Sequence, residues 1–228
     1  MDTEQYLVRV RAALGALANP ELAAPMRAYQ RDQFPFLGIK TPERRQAVAA
    51  LGKVRFSGAE TLAVANALWE FPEREFQYVA VDLLARHANG LTVADIPALL
   101  ALVQRKSWWD SVDGLAKVVG AVIHRARVED PQIQRLMDDA LTHDNLWVRR
   151  IALLHQLGWY GDCDAGRLFR YAATCAPETE FFIRKAIGWA LRDYARHDPD
   201  AVRRFVEEHR QQLSGLSVRE AMKHLGGV

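Results

Sequence analysis

No run of apolar residues in this 228-residue chain is long enough to cross a bilayer. There are only two cysteines, Cys163 and Cys175. If they shared one helix, the twelve residues between them would rise about 18 Å, too far for a bridge. No cysteine pair has zinc spacing, and there is no His-Glu-x-x-His, no glycine-rich phosphate loop and no nucleophile elbow. Alternating apolar-polar segments and hairpin turn signals are also missing, which excludes a β architecture. The opening Met-Asp-Thr-Glu-Gln lacks the basic-then-apolar layout of a signal peptide. The expectation is a reducing, cytoplasmic setting with no membrane partner. Any chemistry must use carboxylates, aromatics and arginines, with no metal and no cofactor.

What is present is ordinary in bulk and uneven in detail. Half of the residues are hydrophobic and a quarter charged, as in a globular protein. The net charge is +2, but residues 145–228 carry 13 Lys+Arg against 10 Asp+Glu, while residues 1–144 carry 17 against 18. Of the 30 basic residues, 24 are Arg, the side chain better suited to bidentate phosphate contacts. This composition permits a nucleic-acid partner without requiring one.

Nearly every segment reads as helix. Expected helices cover 3–18, 20–33 with a bend at Pro25, 41–52, 58–71, 72–87, 93–105 and 107–127. Further ones follow at 131–142, 145–157, 164–176, 178–196, 199–212 and 217–225. Asn19-Pro20, Thr41-Pro-Glu and the Ser57-Gly-Ala-Glu60 capping box mark helix starts. About twelve helices with short connections, pairing every 35–40 residues or so, have the rhythm of a solenoid whose concave face could cradle an elongated partner. Self-similarity is faint, so a compact non-repeat bundle is the alternative. A single domain over 1–228 is expected.

The stretch Lys106-Ser-Trp-Trp-Asp-Ser-Val-Asp113 stands out. Ser107 sits where an N-cap belongs, with Asp110 three residues on. The apolar stripe runs through Trp108, Val112, Leu115, Val119 and Val122, and Trp109 and Asp113 share the opposite face with Lys117. They form either a half-covered indole beside a solvated acid, or an aromatic wall with a catalytic carboxylate. Trp189 also lies off its core stripe of Ile183, Ile187, Leu191 and Tyr194, with Lys185, Arg192 and Arg196 at helical spacing. It is either a covered Trp or a stacking platform. Gly188 beside it costs roughly 1 kcal/mol against Ala, which suggests close approach of a backbone or ligand. Arg150 neighbours Leu146, Trp147 and Leu153 and needs an anionic partner, either a carboxylate or a phosphate. His124 and His155 read as core or surface residues rather than ligands.

Four blocks resemble the AlkD family of bacterial DNA alkylation-repair glycosylases: Lys106–Asp113, Phe36-Leu-Gly-Ile-Lys-Thr-Pro-Glu-Arg-Arg45, Pro72-Glu-Arg-Glu-Phe-Gln77 and Phe181-Phe-Ile-Arg-Lys-Ala-Ile-Gly-Trp189. They run in the same order over nearly the whole chain. The main departure is a slight shortening between residues 50 and 70. The resemblance implies an all-α, HEAT-like solenoid with a concave DNA-binding face. It implies hydrolysis of the N-glycosidic bond of N3- and N7-alkylated purines, such as 3-methyladenine and 7-methylguanine, in double-stranded DNA. Trp109, Asp113 and Trp189 match the family's catalytic cleft, Arg150 matches an arginine that contacts DNA near the lesion, and Tyr29 matches a cleft tyrosine. Lys185 is expected to join them in DNA binding, and the protein is expected to act as a monomer.

Those residue types suit that reaction. Alkylation at N3 or N7 makes the purine a cation, so it leaves as a neutral base without a general acid. Positive charge develops on the sugar, where a carboxylate such as Asp113 would stabilise it. The family resemblance further implies a lesion left stacked, where most glycosylases flip the base. A non-catalytic helical-repeat module binding nucleic acid or protein is the competing expectation.

Overall fold

The computed structural model describes residues 2–226, so residues 1, 227 and 228 of the expected domain lie outside them. Among the described residues there are thirteen α-helices and no strands: α1 (Thr3–Gly15), α2 (Pro20–Tyr29), α3 (Thr41–Ala49), α4 (Gly58–Glu70), α5 (Arg74–Arg86), α6 (Ile96–Val103), α7 (Trp109–Ala126), α8 (Arg135–Leu141), α9 (Leu146–Leu154), α10 (Ala165–Cys175), α11 (Phe181–Tyr194), α12 (Pro199–Glu208) and α13 (Gly215–Met222). The all-α expectation holds, and each expected helix exists, most of them shorter at the ends. No helix among the described residues is long and apolar enough to cross a membrane. The chain divides into two compact units, residues 1–98 and 99–228.

In the first unit α1 packs on α3 and α4, and α5 packs on both of these. Local signals account for the helix starts. Asn19 caps α2 by accepting from the Glu21 and Leu22 amides, and Ser57 and Glu60 form the expected reciprocal box at α4. The bend expected at Pro25 does not end α2, which stops at Tyr29 because Arg31 and Asp32 adopt left-handed φ of 54° and 58°. The loop that follows is held from inside. The buried Glu75 carboxylate accepts from the amides of Leu37, Gly38 and Ile39 at 3.0, 2.9 and 3.1 Å. Gly38 has φ +88°, and a Cβ there would lie 2.7 Å from the Ala23 nitrogen, so no larger residue fits.

The second unit is built by alternation. Helices α7, α9, α11 and α13 contact one another in that order, and α8, α10 and α12 flank them. Each successive member of the first layer is thus reached by passing through one flanking helix, which is the pairing rhythm expected from the sequence. Val112, Leu115, Val119 and Val122 of α7 are buried as the periodicity predicts, as are Ile183, Ile187, Leu191 and Tyr194 of α11. Gly120 lets α7 meet the C-terminal end of α9, since a Cβ would collide with the His155 carbonyl oxygen.

Candidate active site

The start of α7 differs from expectation. Ser107 does not cap it, because its hydroxyl donates back to the Val103 carbonyl at 2.6 Å. Lys106 takes a left-handed φ of 49° and turns the chain between α6 and α7. Trp108 occupies the cap position instead, and the Asp110 carboxylate accepts from the adjacent Ser111 amide at 2.8 Å. Trp108 packs against Trp147 and Phe182, with ring centroids 5.8 and 5.1 Å away, and these two rings are 4.9 Å apart. This aromatic cluster joins the starts of α7, α9 and α11. Trp109 and Asp113 are half-buried and Lys117 is exposed, so the face singled out by spacing does lie away from the core.

Helix α9 starts at the Asn145 cap, whose side chain accepts from the Trp147 amide at 2.9 Å. Its two consecutive arginines then part. Arg149 pairs with Glu178 at 2.7 Å, while Arg150 turns inward and its side chain is only 1% exposed. Of the two partners left open for Arg150, the structure shows the carboxylate, and that carboxylate is Asp113. Nε donates to Asp113 Oδ1 at 2.7 Å and one terminal nitrogen donates to Oδ2 at 2.9 Å. The other terminal nitrogen donates to the Phe182 carbonyl. All three guanidinium nitrogens are engaged, which offsets the cost of burying the charge. The Arg150 Cζ also lies 5.1 Å from the centroid of the Trp189 ring. Arg150 therefore brings α7 and α11 together at one place. Asp113, though clamped, keeps 22% of its side chain exposed.

Trp189 is half-buried on α11, and its indole Nε1 donates to Glu220 Oε2 on α13 at 3.1 Å. Lys185 lies 5.2 Å from the Trp189 ring centroid and pairs with Glu220 at 2.8 Å, and Arg192 pairs with the same carboxylate at 2.6 Å. Arg196, the third expected basic neighbour, stands instead 4.0 Å from Asp193. Burial pushes the Glu220 carboxyl up, but Lys185, Arg192 and the indole together outweigh it and hold it below the usual range. Sequence reasoning missed Glu220. The one pointer to it was Gly188, where a Cβ would fall on the Glu220 Cβ and stand 2.8 Å from the Ser217 carbonyl oxygen. The close approach expected at Gly188 is made by helix α13.

The DNA alkylation repair enzyme family model matches residues 10–225. The chain belongs to that family. It is similar to a predicted DNA alkylation repair enzyme from Enterococcus faecalis, at 35% identity over 92% of this chain and 97% of that one, with a TM-score of 0.81. The fold is also that of AlkD2 from Streptococcus mutans, at 17% identity over 98% of this chain and 99% of that one, TM-score 0.63. A third likeness is to smu.31 from Streptococcus mutans UA159, at 18% identity over 89% and 98% of the two chains, TM-score 0.59. No curated protein matches the chain.

In this family member the remaining candidates fall as follows. Tyr29 ends α2 in the first unit, 72% exposed, at the edge of an apolar hollow of about 330 Å³ that Leu22, Met26, Phe36 and Tyr78 help to line. His124 pairs with Asp162 at 2.9 Å, and His155 is buried, its imidazole pushed down to about 4 by burial against an opposing hydrogen bond to the Ala152 carbonyl. Cys163 and Cys175 are free, and burial pushes both thiols up to about 12, so neither is a ready nucleophile.

Proposed function

We propose that this DNA alkylation repair enzyme is a monofunctional glycosylase that hydrolyses the N-glycosidic bond of N3- and N7-alkylated purines in double-stranded DNA. The observation that carries the reading is Asp113: a carboxylate with an open edge, fixed by a buried arginine, one turn from Trp109 and joined through Arg150 to Trp189. A counter-ion that served only Arg150 would need neither the open edge nor the two indoles beside it.

The alkylated purine departs with the glycosidic electron pair and becomes neutral, and the sugar carbon is left cationic. Asp113 supplies the counter-charge. Its two oxygens each accept one Arg150 N–H, yet a carboxylate offers roughly four lone-pair sites, so the open edge can still hold the attacking water. Water adds to the sugar carbon and gives its proton to the Asp113 carboxylate, which passes it to solvent through that edge. Arg150 lies on the buried side, so the pair acts as a dipole with its negative end toward the sugar. Trp109 and Trp189 flank the sugar and keep the site dry, where a single charge counts for more. Arg150 acts here through Asp113 rather than on a phosphate, while Tyr29 and Lys185 contribute to DNA binding. The reading includes a HEAT-like concave DNA face, a lesion that stays stacked, no cofactor, a monomer and a cytoplasmic setting.

The test is release of free 7-methylguanine from methylated duplex DNA by the purified protein, with Asp113→Asn as the control. Release that depends on Asp113 is expected. Binding of the duplex without release would replace the enzyme with a non-catalytic nucleic-acid module.

A further inference from the structure

Each of α7, α9 and α11 gives a side chain to the site, and α13 completes the same layer of helices. The contribution of α13 is Glu220. We propose that Glu220 is a positioning residue of the site, fixing the indole of Trp189 from the C-terminal helix.

An indole has one donor, and a half-buried Trp whose N–H has no fixed acceptor can turn about its side-chain torsions. Here the acceptor is a charged oxygen at 3.1 Å, a stronger and more directional bond than a neutral one. The acceptor is itself fixed. Lys185 holds Oε1 at 2.8 Å and Arg192 shares Oε2 at 2.6 Å, so the carboxylate cannot swing without breaking ion pairs. Helix α13 is fixed too. Ser217 Oγ donates to the Arg184 carbonyl at 2.9 Å, one turn before Glu220, and Gly188 leaves the space that lets the two helices touch. The ring so oriented is the one that Arg150 approaches at 5.1 Å while it clamps Asp113. Freeing the indole would thus disturb both a wall of the site and the arginine behind its carboxylate. Lys185, a DNA-binding candidate from the sequence, and Arg192 are the two cations that hold Glu220.

The kinetic half of this inference rests on the glycosylase reading above, and the structural half does not, so the test reads them separately. The protein is labelled with 15N at its Trp indoles, the Trp189 signal being assigned with Trp189→Phe. Glu220→Ala and Glu220→Gln are compared with wild type in that spectrum, in single-turnover release of 7-methylguanine and in affinity for the methylated duplex. Thermal unfolding confirms that each variant is folded. In Glu220→Ala the Trp189 N–H signal is expected to move upfield while the other indoles stay, and the release rate to fall by about tenfold or more. The dissociation constant should stay within about threefold. Glu220→Gln, which keeps an acceptor but loses the ion pairs, should fall between wild type and Glu220→Ala in both, and it carries the test if Glu220→Ala does not fold. An unmoved Trp189 signal would overturn the positioning role, and so would a moved signal with an unchanged release rate. If wild type releases nothing while the Trp189 signal moves, the indole contact stands and the glycosylase reading falls.

Discussion

Arg150 and Asp113 face each other across α9 and α7, 37 residues apart, with two parallel hydrogen bonds of 2.7 and 2.9 Å between one guanidinium and one carboxylate. The two partners are unequal. The arginine is buried to 1% exposure, while the carboxylate keeps an open edge at 22%. A fork of this kind fixes the plane of the carboxylate as well as its position, which a single contact does not. The pairing gives Asp113 a structural role beside the chemical one proposed for it, and the consequences of changing it follow from that.

Asp113→Asn is expected to slow 7-methylguanine release by roughly 10²–10³, the loss of about 2.7–4 kcal/mol of charge stabilisation. Position off the core predicts no effect of this change on folding, but the clamp on Arg150 says otherwise. Removing the partner of a buried charge costs about 3–5 kcal/mol, so Asp113→Ala should unfold at visibly lower denaturant, with Asp113→Asn between it and wild type. Single-turnover kinetics and denaturant titration on the same preparations check both. A folded Asp113→Asn protein with near wild-type release would move the search to another carboxylate.

Arg150→Met keeps the buried volume and frees Asp113 to drift. Release should slow, yet the dependence of duplex affinity on salt should stay as in wild type, because a guanidinium committed to Asp113 displaces no counterion from DNA. Affinity measured from low to moderate salt gives the slope. A slope shallower by about one unit would put Arg150 on a phosphate after all.

The helices were legible because their signals are local: caps, prolines and apolar stripes in single stretches. The site was half legible for the same reason. Trp109 and Asp113 share a face of one helix, and Trp189 breaks the stripe of another. The Arg150–Asp113 fork and the Glu220 contacts link residues 37 and 28–35 positions apart, and no local pattern encodes such a pairing. The start of α7 misled because Ser107 has a competing acceptor in the turn before it, the Val103 carbonyl. The four blocks of resemblance also divide by role. Residues 106–113 and 181–189 carry the site. Residues 36–45 and 72–77 hold the fold, since Glu75 binds the amides of residues 37–39 and the Arg74 amide donates to the Pro35 carbonyl at 2.9 Å.

Gly188→Ala sets two effects against each other. Alanine gains about 1 kcal/mol of helix propensity, but its Cβ meets the Glu220 Cβ and, at 2.8 Å, the Ser217 carbonyl oxygen. Overpacking of this kind costs about 1–3 kcal/mol, so net destabilisation is expected, with slower release as α13 moves off Trp189. Gly15→Ala is the control, since a Cβ there meets nothing within 4 Å, and it should be neutral or stabilising. Denaturant midpoints of the two variants decide the matter, and a stabilised Gly188→Ala would show that α13 is loosely packed.

Acid should weaken the fold through His155. Its imidazole is buried and held neutral, pushed down to about 4 from an ordinary value near 6.5, with Nδ1 2.7 Å from the Ala152 carbonyl oxygen and Nε2 3.3 Å from Gln134 Nε2. The unfolded chain therefore takes up this proton at higher pH than the folded one. The resulting stability is complete above about 6.5 and is lost as pH falls toward 4, at up to about 1.4 kcal/mol per pH unit and on the order of 3 kcal/mol in all. Asp138 adds to the acid sensitivity only lower down. Hydrogen bonds from Arg167, then Tyr171 and Arg170, hold its carboxyl well below the ordinary 3.8 against the opposing effect of burial, so its contribution fades below that value. The two are separable with His155→Gln, which removes the titrating ring and leaves Asp138 alone. Between pH 6.5 and 4.5 the unfolding free energy of wild type should fall more steeply than that of the variant, by about one proton's worth of slope, and the two curves should run parallel above pH 7. Parallel curves throughout would mean that His155 is protonated in the folded protein and that its burial is compensated by a partner such as Asp138 or Asp164, the carboxylates whose charges act on it.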